Sequence, residues 1–155
     1  VNEIWYQSFH LTQLAVDLVG HSRETTEIYL EHFLRHWSFC KEAYEPFLQK
    51  LVEIFSSKNS IYGGFSWYKS NNDARLETIA GEKEAYDPKI KIPSAVLWGK
   101  HDPILRSDWI SHLHDNFENI IIELADESGH FVHFEQSDLA ADFVHRRLNK
   151  WQLFI

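Results

Sequence analysis

Apolar residues recur at helical spacing through the first eighty residues of the chain. One stripe occupies residues 28–37 and follows Ser22, a residue type that caps helices well. A second stripe follows Pro46, which suits the first turn of a helix. The pair Gly63-Gly64 interrupts the pattern, so a third helix is predicted over residues 66–80. The first half of the chain is therefore predicted to be helical.

The pattern changes at residues 87–93, where two prolines and alternating charges predict a linker that is neither a helix nor a central strand. After the linker, short apolar runs alternate with amphipathic segments. The predicted elements are a strand over 94–98, a helix over 108–116, a strand over 120–124 and a helix over 137–150. This order indicates parallel strands with crossover helices, and the apolar runs are typical of strands buried on both faces. Since two strands make a poor sheet, we expect this half to be the end of a larger α/β sheet.

Composition narrows the classes of protein that remain. The 155 residues are 44% hydrophobic and 25% charged, which is typical of a globular protein. A net charge of -8 does not fit a protein that binds nucleic-acid phosphates or an anionic membrane. The sequence has no apolar run near the roughly 18 residues of a membrane span and only one cysteine, so we expect a cytoplasmic protein. The sequence contains no Met and opens on Val1, which is compatible either with chance or with a piece of a longer protein.

Two polar residues follow the predicted strands at positions that suit catalysis. Asp102 comes after the first strand and His130 after the second. In parallel α/β sheets, catalytic groups gather beyond the carboxyl ends of the strands. An acid followed by a histidine matches the last two members of a nucleophile–acid–histidine triad in α/β-hydrolase order. On spacing alone, Asp102 could equally be only a turn former.

Several segments resemble a known family. Residues 98–105 and 129–135 resemble the acid and histidine motifs of α/β-hydrolases, in the branch that holds epoxide hydrolases and haloalkane or haloacetate dehalogenases. The helical half resembles the cap domain of that branch, through the sequences at 5–10 and 63–69. The resemblance implies an α/β fold, namely the C-terminal part of an α/β-hydrolase preceded by a helical cap. We expect the cap to occupy residues 1–82 and the core part to occupy residues 83–155.

The resemblance also implies roles for individual residues. Asp102 would be the triad acid and His130 the base, while Tyr6 and Tyr68 match the cap tyrosines that hydrogen-bond the oxygen of an epoxide. In this family a carboxylate opens a small apolar epoxide to an ester, which histidine-activated water then hydrolyses. Neither a cofactor nor a metal is implied.

Dehalogenation is an alternative reaction within the same branch. Haloacetate dehalogenases hold the halide with a His-Trp pair near the first cap motif. Gln7-Ser8 stands at about that place here, which counts against dehalogenation. Trp5 or Trp67 could still face a halide or another substrate group, so this reaction stays open.

One part of the expected machinery is not found in the sequence. No Gly-flanked Asp or Ser follows a strand-like run, so the nucleophile of the family has no counterpart. We expect either that a missing N-terminal half of the hydrolase supplies it, or that the chain is a non-catalytic remnant that binds or self-associates. The isolated chain is expected to be inactive. A metal site is not expected, since His32 and His36 lack the glutamate of a metalloprotease motif.

Overall fold

The computed structural model describes residues 2–82 and 89–152 of the chain, without the side chain of Asn2. Eight α-helices and one two-stranded sheet form within this part. The helices are α1 (Trp5–His10), α2 (Gln13–Val19), α3 (Arg23–Trp37), α4 (Glu45–Phe55), α5 (Lys58–Ile79), α6 (Leu113–Asn116), α7 (Val132–Glu135) and α8 (Ser137–Lys150). The strands are β1 (Ser94–Gly99) and β2 (Ile120–Ala125). None of the helices in these ranges combines the length and apolar character needed to cross a bilayer.

The described residues divide into two compact units. The first consists of residues 2–33 and 45–82, and the second of residues 34–44 and 89–152. Residues 34–44, which the sequence places in the cap region, therefore pack within the second unit. The domain boundary predicted after residue 82 falls next to residues outside the described part and stays a prediction.

The core of the first unit forms where α2 packs against α5. Five buried side chains meet there, and Phe9, Tyr29 and Phe55 cover them. The buried five are Ala15, Val16, Val19, Ile61 and Phe65. Removal of this apolar surface from water is the main term that holds the helices together.

Helix α5 corrects the prediction that Gly63-Gly64 interrupts the helical pattern. The helix begins at Lys58 rather than near residue 66 and runs through both glycines. The Ser57 side chain caps it by accepting the backbone N–H of Ser60 at 3.0 Å. Packing of its buried residues and this cap outweigh the cost of about 1 kcal/mol that each glycine adds in a helix interior.

The second unit contains the two predicted strands. They pair in parallel, from Ser94 opposite Ile120 to Gly99 opposite Ala125, and α7 and α8 pack against β1. The predicted strand positions and the final helix over 137–150 are confirmed. The expectation of strands buried on both faces is wrong for the described part, where most strand residues are half-buried. The reason is that a sheet of two strands, packed against α7 and α8 on β1, leaves part of each strand exposed.

Two segments beside the strands are less regular than the strands themselves. The helix predicted over 108–116 is a 3-10 helix (Ser107–His112) followed by the single turn of α6. Neither piece buries a residue or has a side-chain cap, so little stabilises a regular helix there. Residues 87 and 88 of the predicted linker lie outside the described part. Ile90, within the linker, forms an isolated parallel bridge with Phe117.

Candidate active site

Asp102 occupies a tight turn just beyond the end of β1. Its side chain is buried, and one carboxylate oxygen, Oδ1, accepts the backbone N–H groups of Ile104 at 2.8 Å and Leu105 at 2.9 Å. The indole N–H of Trp98, in β1, donates to the carbonyl of Leu105 at 2.7 Å. These bonds fix the turn and leave the second oxygen, Oδ2, to bind another group.

That group is His130, which follows β2 in the chain. Its Nδ1 lies 2.8 Å from Oδ2 of Asp102, so the predicted contact between the two residues is present. The imidazole is 26% exposed and makes edge-on contacts with the rings of Trp37 and Phe131, each at a centroid distance of 5.1 Å. With Nδ1 facing the carboxylate, Nε2 is the ring nitrogen that can take up a proton. The arrangement suits a general base, and the catalytic roles of both residues stay predictions.

Two glycines allow the loop that carries His130 to pack closely against its neighbours. A Cβ added at Gly99 would lie 1.7 Å from the carbonyl oxygen of Gly129. A Cβ added at Gly129 would lie 2.3 Å from the carbonyl oxygen of Trp37. Since backbone atoms cannot move aside cheaply, a larger residue at Gly99 would push the His130 loop away from the end of β1, and one at Gly129 would push it away from Trp37. Local sequence patterns carry no signal for this approach between distant segments.

The two predicted cap tyrosines lie together in the first unit. Tyr6, in α1, is buried, and its ring stands perpendicular to that of Tyr68, in α5, at a centroid distance of 5.8 Å. Burial, with the neighbouring Tyr6 phenol as the smaller cause, raises the pKa of Tyr68 to about 12. Tyr68 is therefore a protonated hydrogen-bond donor at neutral pH.

The predicted tryptophans line different grooves of the first unit. Trp67 packs edge-on against Tyr68 at 5.0 Å, and both line a groove of about 530 Å³ together with Gln7. Trp5 instead stacks on Phe33 at 5.8 Å and lines a separate apolar groove of about 400 Å³. The structure thus groups Trp67 with the tyrosine pair and places Trp5 on another groove.

A buried histidine beside the tyrosines was not identified from the sequence. His10 is 6% exposed, stacks on Phe65 at 3.9 Å and is hydrogen-bonded through Nε2 to the Tyr29 hydroxyl. Burial lowers the pKa of His10 to about 4, and burial also raises the pKa of Tyr29 above its ordinary value. The heavy use of aromatic residues, 15% of the chain, was the only sequence signal for such a cluster.

Because His10 is buried and its pKa is lowered, we expect the protein to lose stability in acid. The unfolded imidazole, with a pKa near 6.5, takes up a proton as the pH falls, whereas the native imidazole stays neutral until about pH 4. Between these values protons bind preferentially to the unfolded state. The free energy of unfolding should therefore fall by on the order of 2–3 kcal/mol through this residue between pH 7 and pH 4.

Urea unfolding at both pH values measures this effect. His10→Phe, which keeps an aromatic ring for the stack on Phe65, should lose that part of the pH dependence. An equal dependence in the wild type and the variant would contradict a buried neutral His10.

Two serines, Ser22 and Ser66, each lie two residues after a glycine and come nearest to the nucleophile motif. In the structure each of them makes a local hydrogen bond instead. Ser22 follows a helix rather than a strand, and its Oγ accepts the backbone N–H of Thr25 at 3.3 Å. Ser66 lies inside α5, and its hydroxyl donates to the carbonyl of Tyr62 at 2.7 Å. Neither serine is followed two residues later by a glycine. Across residues 2–82 and 89–152, no three His, Cys, Asp or Glu side chains gather as a metal site.

The chain has sequence similarity to one curated hydrolase. It is 30% identical over 118 residues to the monoacylglycerol lipase ABHD6 of Mus musculus. The aligned region covers 68% of this chain and 32% of that protein. No family model matches the chain.

Solved structures provide a second comparison. Epoxide hydrolase CorEH has a TM-score of 0.75 at 21% identity, covering 97% of this chain and 50% of that one. The Cif epoxide hydrolase from Acinetobacter nosocomialis has a TM-score of 0.67 at 18% identity, covering 94% and 44%. The chain thus spans about half the length of these structures, and identities this low establish the fold alone. The predicted fold class is confirmed: the chain has the fold of a helical cap and the C-terminal part of an α/β-hydrolase core, and its sequence resembles that of an α/β-hydrolase.

Proposed function

We propose that the chain contributes the cap and the acid–base pair of a hydrolase of epoxide-hydrolase type, acting on a small apolar substrate. The observation that carries the proposal is the 2.8 Å contact between His130 Nδ1 and the Asp102 carboxylate, beyond the ends of neighbouring parallel strands. Nucleophilic hydrolysis needs a histidine held in one tautomer by an acid, and this pair meets that need.

The proposed reaction has two steps. In the first, a carboxylate oxygen bonds to an epoxide carbon and the ring C–O bond breaks, while the ring oxygen takes a proton from a tyrosine hydroxyl. The product is an ester between enzyme and substrate. Tyr6 and Tyr68 are our candidates for the phenols, since their rings lie together and the raised pKa of Tyr68 keeps its hydroxyl protonated at neutral pH.

The second step uses the acid–base pair. Nε2 of His130 takes a proton from water, and the water oxygen bonds to the ester carbonyl carbon. The acyl C–O bond then breaks, and the departing alkoxide takes the proton back from the imidazolium to give a diol. The carboxylic acid that this leaves on the enzyme gives up its proton, and the tyrosinate formed in the first step takes one up, so both groups return to their starting states. Asp102 stabilises the imidazolium between these two transfers.

No sequence pattern among the 155 residues matches the nucleophile motif of the family. In the proposal the nucleophile comes from polypeptide outside them, which is why the test uses protein made from the complete open reading frame that contains this chain. The competing idea of a non-catalytic module that self-associates predicts no turnover by that protein, together with an oligomer by light scattering.

Ester hydrolysis is a second candidate function. The curated relative with 30% identity is named a monoacylglycerol lipase, and an Asp–His pair serves a serine nucleophile as well as a carboxylate. The tyrosine pair separates the two candidates, because ester hydrolysis has no epoxide oxygen that needs a phenol proton.

Tyr68→Phe should therefore lower kcat for epoxide hydrolysis by about 100-fold or more and change ester hydrolysis by less than a few-fold. Steady-state kinetics with one epoxide and one ester of similar size provide the measurement. Tyr62→Phe is the matched control, since Tyr62 lies on the same helix but is 51% exposed. Unchanged epoxide turnover in Tyr68→Phe would refute the assigned phenol role, and turnover of the ester alone would favour the second candidate.

A further inference from the structure

The side chain of Glu135, at the end of α7, collects backbone N–H groups from two separate segments. Its Oε2 accepts the N–H of Phe39 at 2.7 Å and of Cys40 at 2.9 Å. Both oxygens lie 3.0 Å from the N–H of Gly129, and Oε1 accepts the N–H of Phe131 at 3.1 Å. Four backbone donors thus converge on one half-buried carboxylate, which the proposed mechanism does not use.

We propose that Glu135 is a positioning residue for His130. Its carboxylate ties the histidine loop to residues 39–40, and in this way keeps Nδ1 of His130 on the Asp102 carboxylate. The inference rests on the proposed function in so far as His130 is the base, but the geometry that it concerns can be measured without turnover.

The hydrogen bonds on either side of His130 explain how Glu135 acts on it. The N–H groups of Gly129 and Phe131, the two chain neighbours of His130, both donate to Glu135. The N–H of His130 itself donates to the carbonyl of Trp37 at 2.9 Å. Three consecutive peptide N–H groups are therefore fixed, so the Cα of His130 and the direction of its side chain are fixed with them.

A carboxylate is the side-chain group that suits this arrangement. Its two oxygens offer about four acceptor sites, which matches the four N–H donors, and bonds to a charged acceptor are the stronger kind. A glutamine at the position of Glu135 would offer one oxygen and turn an NH₂ donor toward other donors. An aspartate would be one methylene too short to reach both segments.

Removing the carboxylate tests the inference, with NMR as the readout. In Glu135→Gln and Glu135→Ala, the amides of Phe39, Cys40, Gly129 and Phe131 should exchange at least about tenfold faster than in the wild type. The hydrogen-bonded Nδ1 proton of His130 should broaden or disappear. Glu127→Gln removes the same charge from an exposed position in the preceding loop and should leave both signals unchanged.

Adding formate or acetate distinguishes the loss of this carboxylate from a general loss of stability, which these ions would not reverse. In Glu135→Ala the four N–H groups should bind the small carboxylate, restoring the His130 Nδ1 signal and slowing exchange of the four amides, whereas chloride at equal ionic strength should not. If Glu135→Ala does not fold, faster exchange limited to the four amides in Glu135→Gln supports the proposal, and faster exchange throughout the unit overturns it.

The remaining outcomes separate this proposal from the proposed function. An intact Nδ1 signal in both folded Glu135 variants overturns the positioning role, whatever the enzyme activity. Loss of that signal in a protein that hydrolyses neither epoxides nor esters supports the positioning role and counts only against the proposed function.

Discussion

Replacing His130 with alanine is expected to lower kcat for hydrolysis by roughly 10⁴-fold in protein made from the complete open reading frame. In the proposed reaction Nε2 of this residue is the base that activates water, while its Nδ1 is held 2.8 Å from Asp102. Asp102→Asn should cause a similar loss, because an amide neither holds the required tautomer nor stabilises the imidazolium. Steady-state kinetics under saturating substrate measure both effects.

Two controls separate lost chemistry from lost structure. His133→Ala removes an exposed imidazole three residues away and should leave kcat within a few-fold of the wild type. Asp102→Asn keeps an oxygen for the backbone N–H groups of Ile104 and Leu105, so its thermal unfolding should stay close to that of the wild type. Wild-type turnover in His130→Ala would show that the site has been placed wrongly.

The second large effect concerns the 155 residues on their own. We expect this chain to hydrolyse neither epoxides nor simple esters above background, because a general base without a nucleophile loses the covalent route. Sensitive assays with a fluorogenic ester and an epoxide, each at high protein concentration, check this result.

Ser22 provides the sharpest control for that assay. As the cap of α3, its replacement by alanine should cost about 1 kcal/mol of stability and no activity. Turnover by the isolated chain that disappears in Ser22→Ala would contradict the account, since it would make this serine the nucleophile. Turnover that needs His130 but not Ser22 would equally contradict it, by showing that the nucleophile lies elsewhere in these residues.

Local patterns predicted the parts of the fold that depend on local physics. The apolar runs of β1 and β2 and the full length of α8 follow from hydrophobic spacing alone. The same logic failed at Gly63-Gly64, where buried neighbours on α5 outweigh the weak helix preference of glycine. Packing against a distant helix is not visible in a short window of sequence.

The residues of the candidate site also fall into those that the sequence identifies and those that depend on distant contacts. Asp102 and His130 could be found because each follows a strand in the order that hydrolases use. Tyr6 and Tyr68 came from family resemblance, and the structure places their rings together. Glu135 could not be found from local pattern, because its role depends on backbone donors of which two lie 95 and 96 residues away.

Intact mass spectrometry of the His130→Ala protein with an epoxide tests the central claim most directly. A carboxylate nucleophile can open the epoxide without His130, whereas hydrolysis of the resulting ester needs this base. The account predicts that protein made from the complete open reading frame gains the mass of one epoxide and retains it, while the wild type returns to its original mass. An unmodified His130→Ala protein that still releases diol at the wild-type rate would contradict the claim.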